Sequence, residues 1–355
     1  MTGGIIVGDT DYSPELKAND GAGAALYRNT GTLEFGANTG SGGSFQSTGS
    51  FAQNENITIV VIDGERYYTV ADGTDWGYAT TGIKGGGVNS KHNITLTGDF
   101  FVSSSGSLGF ENNTFGTETG ITVTIKGNNT LSLYTFGYLF CIGSGQTVIV
   151  EDVKLKGLVS NSDQVVWLKG KLIMNGSASV HGNVINPSVG NRSGAGVSVE
   201  GGGEFIMNDT ASVHGNESNF RGGGVCVSSG TFTMNDSTSV YDNVAKGGGG
   251  VYSIATFTIN GGTIYGNDAD DGGSGLGGGV YLNGGNFHIA NGTIYGSDEP
   301  NTDLKNTANT GNSAALYRMG SPVNTWGPDN IAITPFPSGI NITIKVENGE
   351  KIGTW

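Results

Sequence analysis

The chain has 355 residues, of which 65 are glycine and 14% are charged, whereas average proteins carry about 7% glycine and about 25% charged residues. Its 31 acidic and 17 basic residues give a net charge of −14, so its surface repels phosphate, and nucleic acid and anionic lipid are poor partners. No apolar run reaches the length of a transmembrane segment, and residues 1–10 lack the features of a signal peptide, which we therefore expect outside this sequence.

From residue 94 onward, three lines of short strands recur every 24 to 33 residues. Strands of the first type begin with an aliphatic residue or phenylalanine. Strands of the second type follow glycine-rich segments such as GGGV at 222–225, and the third type includes sequences such as SVHGN at 179–183. Side chains alternate with period two, and glycine or asparagine follows almost every strand, where tight corners need left-handed backbone. No stretch has helical spacing with caps, which excludes a helical solenoid and crossover helices.

These patterns predict an all-β fold, a single-stranded right-handed parallel β-helix with three strands per coil and about nine or ten coils. In such a fold, like residues stack from coil to coil. We expect an inner aromatic ladder, which continues an aliphatic column from Ile94 to Leu172, and a corner ladder of asparagines whose amides bond along the axis. The aromatic ladder is Phe205, Phe232, Phe257 and Phe287, and the asparagine ladder is Asn183, Asn216, Asn243 and Asn267.

The two ends of the chain carry versions of one segment. Residues 4–8 and 24–28 (GIIVG and AALYR) resemble residues 292–296 and 314–318 (GTIYG and AALYR), and residues 56–64 match residues 341–349, at displacements of 285 to 290 residues. The sequence therefore predicts a unit of a tandem array. Residues 1–55 would end a preceding module, residues 56–300 would form the β-helix, and residues 301–355 would hold a junction and the start of the next module.

The motif pair GGGV and FxxN (at 205–208, 232–235 and 257–260) resembles the repeats of polymorphic outer membrane proteins. It is equally similar to the adhesin-like right-handed parallel β-helix repeats of host-associated bacteria and archaea. The resemblance covers about residues 90–300, although valine stands where the first family usually has an Ala-Ile pair. It implies a secreted or cell-surface protein that acts in adhesion or as an extracellular scaffold.

Three basic residues, Arg192, Arg221 and Lys246, each precede the valine of a glycine-rich strand by four or five residues. On successive coils they would form a basic row on an otherwise acidic surface. Such a row would bind an acidic glycan, and in a polysaccharide lyase it would lower the pKa of a sugar C–H group. The alternative is that each residue pairs with a local carboxylate.

Three aspartates, Asp268, Asp270 and Asp271, lie in one loop. Carboxylate oxygens on a flexible loop suit calcium, the one cofactor that the sequence points to. A solvated acidic corner is the alternative, because the spacing matches no EF-hand.

His181 and His214 share one position in adjacent coils, and tyrosine fills that position later, at Tyr241, Tyr265 and Tyr295. We therefore expect a stacked ring column here rather than a metal site. By register, Cys141 should point inward, and Cys226 should point outward three coils later, too far away for a disulfide.

These observations predict a non-catalytic extracellular or cell-surface module of a larger tandem-repeat protein, acting in adhesion or as a scaffold. Its expected partners are a host or neighbouring cell surface, including glycans. The alternative is a carbohydrate-binding domain or a polysaccharide lyase that uses the basic row on an acidic glycan. Open coil edges would allow copies to associate end to end, unless the terminal segments cap them.

Overall fold

The computed structural model describes residues 59–62, 64–107, 113–270, 275–309, 313–319, 323–326, 331–332, 339–340 and 343–352. These residues form a parallel β-solenoid of about eight turns. Most turns contribute one strand to each of three sheets, and each strand pairs with its counterpart in the next turn. The predicted all-β parallel β-helix is confirmed, whereas the right-handed sense of its winding stays a prediction.

The phenylalanine sheet carries the inner aromatic ladder. Its parallel strands are Glu65–Val70, Lys91–Leu96, Thr122–Lys126, Thr147–Glu151, Lys171–Asn175, Gly203–Met207, Gly230–Met234, Thr256–Ile259, Asn286–Ile289 and Val323–Trp326. An antiparallel strand flanks this sheet at each end, Ile59–Ile62 at the first and Ile331–Ala332 at the last.

The ring sheet follows the phenylalanine sheet in each turn and contains the strands of the SVHGN type. Its parallel strands are Phe100–Val102, Thr130–Leu133, Lys154–Lys156, Ser179–His181, Ser212–His214, Ser239–Tyr241, Thr263–Tyr265 and Gly292–Ile294. It ends in an antiparallel hairpin made of Ile344–Glu347 and Glu350–Ile352.

The glycine sheet follows the glycine-rich segments and completes the turn. Its parallel strands are Phe140–Ile142, Val166–Leu168, Val197–Val199, Val225–Val227, Val251–Ser253, Val280–Asn283 and Leu316–Met319, and Gly339–Ile340 pairs antiparallel with the last of them. Between the ring and glycine sheets, several turns contain an additional short strand at the corner. The predicted three strands per coil did not include these strands. They are Val159–Asn161, Val184–Ile185, Val244–Ala245, Asp268–Ala269 and Thr307–Ala308, with a 3-10 helix at Thr302–Leu304.

The predicted aromatic ladder is confirmed. All four phenylalanines are buried, and their ring centroids are 4.9 Å apart from Phe205 to Phe232, 5.0 Å from Phe232 to Phe257 and 5.5 Å from Phe257 to Phe287. The rings stack at about the strand spacing, so they pack closely against each other along the interior.

The aliphatic part of this column differs from the prediction at its first member. From Phe205 the register runs back through Leu172, Val148 and Val123 to His92. Ile94, which was expected to begin the column, pairs with Ile125 in the neighbouring inner column. The cause is the period of two along a strand: a shift of two residues keeps an apolar side chain inside, so alternation alone cannot detect it.

The predicted asparagine ladder is confirmed and is longer than predicted. The side-chain amides of Asn216, Asn243 and Asn267 each donate to the Oδ1 of the ladder residue in the next turn, at 3.0–3.1 Å. The ladder also includes Asn161 at its beginning and Asn306 at its end. All its members are buried, so these bonds satisfy polar groups that water cannot reach.

The glycine-rich segments are shaped by two different requirements. The first glycine of a segment, such as Gly222 (φ +61°), has left-handed backbone, and a Cβ there would lie 2.3 Å from the carbonyl oxygen of Val225. The third glycine, Gly224, faces the asparagine ladder, and its Cβ would lie 2.9 Å from Nδ2 of Asn243. The repeated glycines therefore allow the backbone to double back and to approach the ladder closely.

One part of the secondary-structure prediction was wrong, because Gly73–Lys84 forms an α-helix. The Asp72 side chain caps this helix by accepting hydrogen bonds from the backbone N–H groups of Thr74 (2.8 Å) and Asp75 (3.0 Å). Three glycines and three threonines in twelve residues give it low intrinsic helix propensity, so tertiary contacts must stabilise it.

Those contacts lie at the N-terminal end of the core. Trp76, Ala79 and Ile83 are buried at helical spacing, and the Trp76 ring lies 5.9 Å from the Phe140 ring, centroid to centroid. The helix therefore covers the end of the solenoid, where the inner columns would otherwise meet water.

The solenoid has about eight turns rather than the predicted nine or ten, because segments at both ends form other structures. The strand within residues 56–64, Ile59–Ile62, is one arm of an antiparallel hairpin, and Gly73–Lys84 is helical. The parallel strands run from Glu65 to Trp326, and antiparallel strands close each sheet beyond them. Residues 4–8 and 24–28, the first copies of the repeated segment, lie outside the described residues.

Both cysteines belong to the glycine sheet. Phe140 and Ile142 contact the main core, so the residue between them, Cys141, lies on the outer side, and the prediction that it points inward was wrong. Cys226 lies in the same outward column three turns later, and no disulfide joins the two cysteines. Burial raises the pKa of the Cys226 thiol to about 11, which keeps it protonated and unreactive at neutral pH.

Candidate functional site

The outer side of the glycine sheet is the first candidate surface, because all three predicted basic residues lie beside it. Glycine-rich segments cover this side: a Cβ on Gly247 would lie 3.0 Å from the Tyr281 ring, and one on Gly194 would lie 2.9 Å from the Cβ of Cys226. The outward side chains are consequently buried, apart from the half-buried last one. In register they are Cys141, Trp167, Ser198, Cys226, Tyr252, Tyr281 and Tyr317.

Arg221 packs onto this column. Its guanidinium lies 4.7 Å from the ring centroid of Phe220, 4.9 Å from that of Tyr252 and 5.7 Å from that of Tyr281. Its Nη1 also donates a 2.8 Å hydrogen bond to the Tyr252 hydroxyl. Because the planar guanidinium stacks on rings and keeps its charge, Arg221 covers the aromatic column while holding a cation close to the surface.

Arg192 forms an ion pair instead. Its Nε donates to Oδ1 of Asp163 at 3.2 Å, and the Asp163 side chain is 1% exposed. A buried carboxylate that loses its partner is strongly destabilising. Arg192 therefore neutralises Asp163. It pairs with a carboxylate, as in the alternative interpretation, but with one that lies 29 residues earlier in the chain.

Lys246 has an exposed side chain on the next turn. In the parallel pairing Arg221 faces Gly247, so Lys246 is one residue out of register with Arg221. The backbones of Arg192 and Arg221 do come together, since the Ser218 hydroxyl donates to the carbonyl oxygens of both, at 2.6 and 3.3 Å. The three basic residues thus lie on successive turns with different side-chain environments, and their action as one glycan site stays a prediction.

The aspartates predicted as calcium ligands bond to the following turn. Asp268 accepts a 2.5 Å hydrogen bond from the Thr307 hydroxyl, and Asp270 accepts one from the side-chain amide of Asn309. Asp271 lies outside the described residues. Within the described ranges, no three His, Cys, Asp or Glu side chains are grouped as a metal site, and calcium binding stays a prediction.

The outer side of the ring sheet is the second candidate surface, and the stacked ring column predicted for it is confirmed. Ring centroids in the column are separated by 5.0, 4.6, 5.0 and 6.3 Å, and the first three pairs lie within 9° of parallel. The rings are half-buried, so the tyrosine hydroxyls and ring edges lie near the surface. The column consists of His181, His214, Tyr241, Tyr265 and Tyr295.

A row of hydroxyl side chains runs beside these rings, two residues earlier in each strand. Its members are Ser179, Ser212, Ser239, Thr263 and Thr293. Tyrosine and serine together supply contact area and adaptable hydrogen bonds at protein-binding surfaces. This face therefore has the chemistry of a polar contact surface.

The two histidines of the column are neutral at pH 7. Burial, together with the neighbouring His214, Lys156 and Lys154, lowers the pKa of His181 to about 4. Burial also places the pKa of His214 below its usual value. Neutral rings stack without mutual repulsion, which allows the column to form.

We expect acidification from pH 7 towards pH 4 to destabilise the protein. His181, together with the buried His92, has a folded-state pKa of about 4 against 6.5 for an unperturbed histidine, so in this interval only the unfolded chain binds the proton. The stabilisation is complete above pH 6.5 and is lost as the pH falls towards 4. Replacing both His181 and His214 by tyrosine should keep the stack and reduce this loss. Urea titrations at pH 7 and pH 5 measure it, and an unchanged pH dependence in the double variant would contradict the assignment.

A third surface is an exposed aromatic patch at the first turns of the ring sheet. The side chains of Phe101, Tyr134 and Phe136 are 66%, 70% and 66% exposed. Phe101, Tyr134, Val102 and Ser103 line a groove of about 330 Å³. Clustered exposed aromatic residues mark contact surfaces in soluble proteins. This patch was not predicted from the sequence: Tyr134 and Phe136 follow the strand Thr130–Leu133, outside the strands in which alternation assigns each side chain to a face.

Comparison with protein-family models, with curated protein sequences and with solved structures finds no match to this chain. The likeness to adhesin-like and outer-membrane passenger repeats therefore depends on the motifs alone. Neither helix in the described part of the chain is long and apolar enough to cross a bilayer.

Proposed function

We propose that the chain is a non-catalytic structural module of an extracellular or cell-surface tandem-repeat protein, acting as a rigid scaffold that supports adhesion. The observation that carries this proposal is the continuity of the core. The aromatic ladder, the buried asparagine ladder and the ring column each run through successive turns with ring or hydrogen-bond contact at every step. A core of this kind resists bending, because bending would open several ladders together.

The dimensions agree with a spacer role. About eight turns at the usual strand spacing give a rise of roughly 40 Å per module. A chain of such modules would lengthen by a constant increment while keeping one cross-section. Adhesive contacts would be made by the hydroxyl and ring face of the ring sheet.

Covered ends favour joining of modules through the chain rather than association of free coil edges. The helix Gly73–Lys84 and the strand Ile59–Ile62 lie at the first end, and antiparallel strands lie against the last strand of all three sheets. The expected end-to-end association depended on these ends being open. Another copy could therefore not pair with the last parallel strand of any sheet without displacing the antiparallel strand that lies against it.

The competing hypothesis, a glycan-binding domain or lyase, depends on Arg192, Arg221 and Lys246. Two of these have partners inside the protein: Arg192 neutralises the buried Asp163, and Arg221 covers tyrosine rings. These contacts account for the presence of both arginines without a bound glycan, and they favour the structural module over the glycan-binding domain or lyase.

Antibody labelling of source cells tests the location. We expect antibodies raised against the folded chain to label intact cells, and brief protease treatment of those cells to remove most of the signal. An antibody to a cytoplasmic protein serves as the control for cell integrity. Labelling that appears only after permeabilisation would contradict an extracellular or cell-surface role.

A further inference from the structure

The outer side of the ring sheet extends beyond the stacked rings into the first turns. The strand register carries the ring column back from His181 through Lys156 and Ser132 to Phe101. The column therefore has one member in each of eight turns, which we number 1 to 8 in chain order. In that order its members are Phe101, Ser132, Lys156, His181, His214, Tyr241, Tyr265 and Tyr295.

Charges of opposite sign lie at equal distances from the middle of this column. Lys154 and Lys156 are exposed in turn 3, and Asp242 is exposed next to the ring of turn 6. Burial and the nearby Asp303 carboxylate raise the pKa of Asp242. None of the ion pairs in the described part of the chain involves these two lysines or these two aspartates. The basic turn and the acidic turn are therefore both suited to a counter-charge from outside the chain.

A two-fold axis that runs parallel to the strands, between turns 4 and 5, brings these charges together. Two copies related by this axis lie face to face with antiparallel solenoid axes, so turn 3 of one copy faces turn 6 of the other. Because the axis preserves the strand direction, the ring column of one copy faces the ring column of the second. Lys156 then lies opposite Tyr241 of the second copy and beside its Asp242. The contact is isologous, so each of these pairs is made twice.

The other face-to-face arrangement is disfavoured by charge. A two-fold axis parallel to the solenoid axis would bring each turn against the same turn of the second copy. Lys156 would approach Lys156, and Asp242 would approach Asp242. Like charges that face each other across an interface cost several kcal/mol. The distribution of charge therefore selects the antiparallel arrangement.

The exposed aromatic patch agrees with the same arrangement. Phe101 is 66% exposed in turn 1, and the antiparallel arrangement places it opposite Tyr295 in turn 8 of the second copy. Tyr134, which is 70% exposed, lies beside Phe101 with 6.5 Å between the ring centroids. Aromatic side chains are enriched at the centres of protein interfaces. Contact with a second copy would remove these rings from water at both ends of the column.

We propose that the outer side of the ring sheet binds the same surface of a second copy of this chain, forming an antiparallel dimer in which turn 3 of each copy faces turn 6 of the other. This inference rests on the proposed function, because it specifies the partner of the face to which adhesive contacts are assigned there. Modules that project from opposite directions would adhere through this contact.

The area of the face is sufficient for a specific contact. Strands of about four residues, stacked about 4.8 Å apart over all the turns, cover roughly 500 Å² on each copy. The total of roughly 1,000 Å² is at the lower end of the range for specific interfaces. We therefore expect a reversible dimer rather than a permanent one.

Sedimentation velocity of the whole chain over a series of protein concentrations tests the proposal. We expect a monomer–dimer equilibrium in the wild type. Lys156→Glu should weaken the dimer about 100-fold, because each dimer then has two like-charge contacts in place of two attractive ones. Asp242→Lys should weaken it for the same reason, and the variant that combines both changes should dimerise again. Lys246→Glu is the matched control: it makes the same change of charge at an exposed lysine beside the glycine sheet, and it should leave the dimer unchanged.

A second measurement does not depend on the folding of the variants, since Asp242 has left-handed backbone (φ +52°), which lysine adopts less readily. In a mixture of isotope-labelled and unlabelled wild type, a carbodiimide should link Lys156 of one copy to Asp242 of the other, and mass spectrometry identifies the mixed peptide.

A monomer at every concentration, or a dimer without this cross-link, would overturn the proposal. So would a dimer that is unaffected by Lys156→Glu. Each of these results would leave the scaffold role intact, because antibody labelling of intact cells tests that role separately.

Discussion

Replacing Asn243 by leucine is expected to lower the free energy of unfolding by about 3 kcal/mol or more, because several buried polar groups would lose their partners. The Asn243 amide donates to the carbonyl oxygens of Val213 (3.0 Å) and Tyr241 (2.9 Å) and to Oδ1 of Asn267 (3.0 Å). Its Oδ1 accepts from both the backbone and the side chain of Asn216. Leucine has a similar volume, so the loss would reflect hydrogen bonding rather than a cavity.

The chain supplies a matched control in a second asparagine ladder. Asn235 lies in the same turn, donates to Oδ1 of Asn208 at 2.8 Å and accepts from Asn260 at 2.9 Å, but it is only partly buried. Since water can replace its partners, Asn235→Leu should cost no more than about 1 kcal/mol. Guanidinium titrations of both variants measure the difference. Equal losses would show that burial does not decide the contribution of these ladders.

The second asparagine ladder also shows where sequence reasoning stopped. Its members stand at the last position of the FxxN motif and, one turn earlier, at Asn175. The motif was used to identify repeats, and the stacking of its asparagines was not inferred. Both ladders repeat with the same period, so the sequence alone does not show which ladder is more buried. That difference depends on how the chain folds at the corners of each turn.

Inner positions within the repeats were predictable, because a side chain that recurs once per turn must meet its own copies. This argument holds for Phe232 and Asn243, which have equivalent residues on both sides. It fails where the repeat ends. Among the described turns the helix Gly73–Lys84 has no equivalent, and its Trp76, Ala79 and Ile83 spacing lies within a sequence of low helix propensity. The N-cap Asp72 was the signal that could have identified it.

The basic residues illustrate a second limit. Spacing from the valine strands placed Arg192 and Arg221 on successive turns, and the structure agrees. Their side chains, however, choose partners that are distant in sequence. Asp163 precedes Arg192 by 29 residues, and Tyr252 follows Arg221 by 31. Such pairings depend on how the glycine-rich segments fold over the glycine sheet, which no local pattern specifies.

The other large effect is expected from Phe232→Ala, which should lower the free energy of unfolding by about 3–5 kcal/mol. The ring is fully buried, and it stacks on Phe205 at 4.9 Å and on Phe257 at 5.0 Å. Alanine would leave a cavity that stacked strands cannot close by shifting. Phe232→Leu should cost less than half as much, because leucine already fills this column at Leu172. Thr233→Ala, which changes the neighbouring outward side chain, should alter the free energy of unfolding by no more than about 0.5 kcal/mol.

The manner of unfolding should change together with the stability. Each turn of a solenoid contacts only its neighbours, so stability is a sum of turns and of interfaces between turns. A cavity at Phe232 weakens two adjacent interfaces near the middle of the ladder and leaves the helix-covered first turns and the hairpin-covered last turns intact. We therefore expect the wild type to unfold in one thermal transition and the alanine variant in two, with residues 65–207 and 256–352 of the variant exchanging hydrogen at different rates. A single transition shifted to lower temperature would instead show that the columns couple all turns more strongly than nearest-neighbour contacts imply.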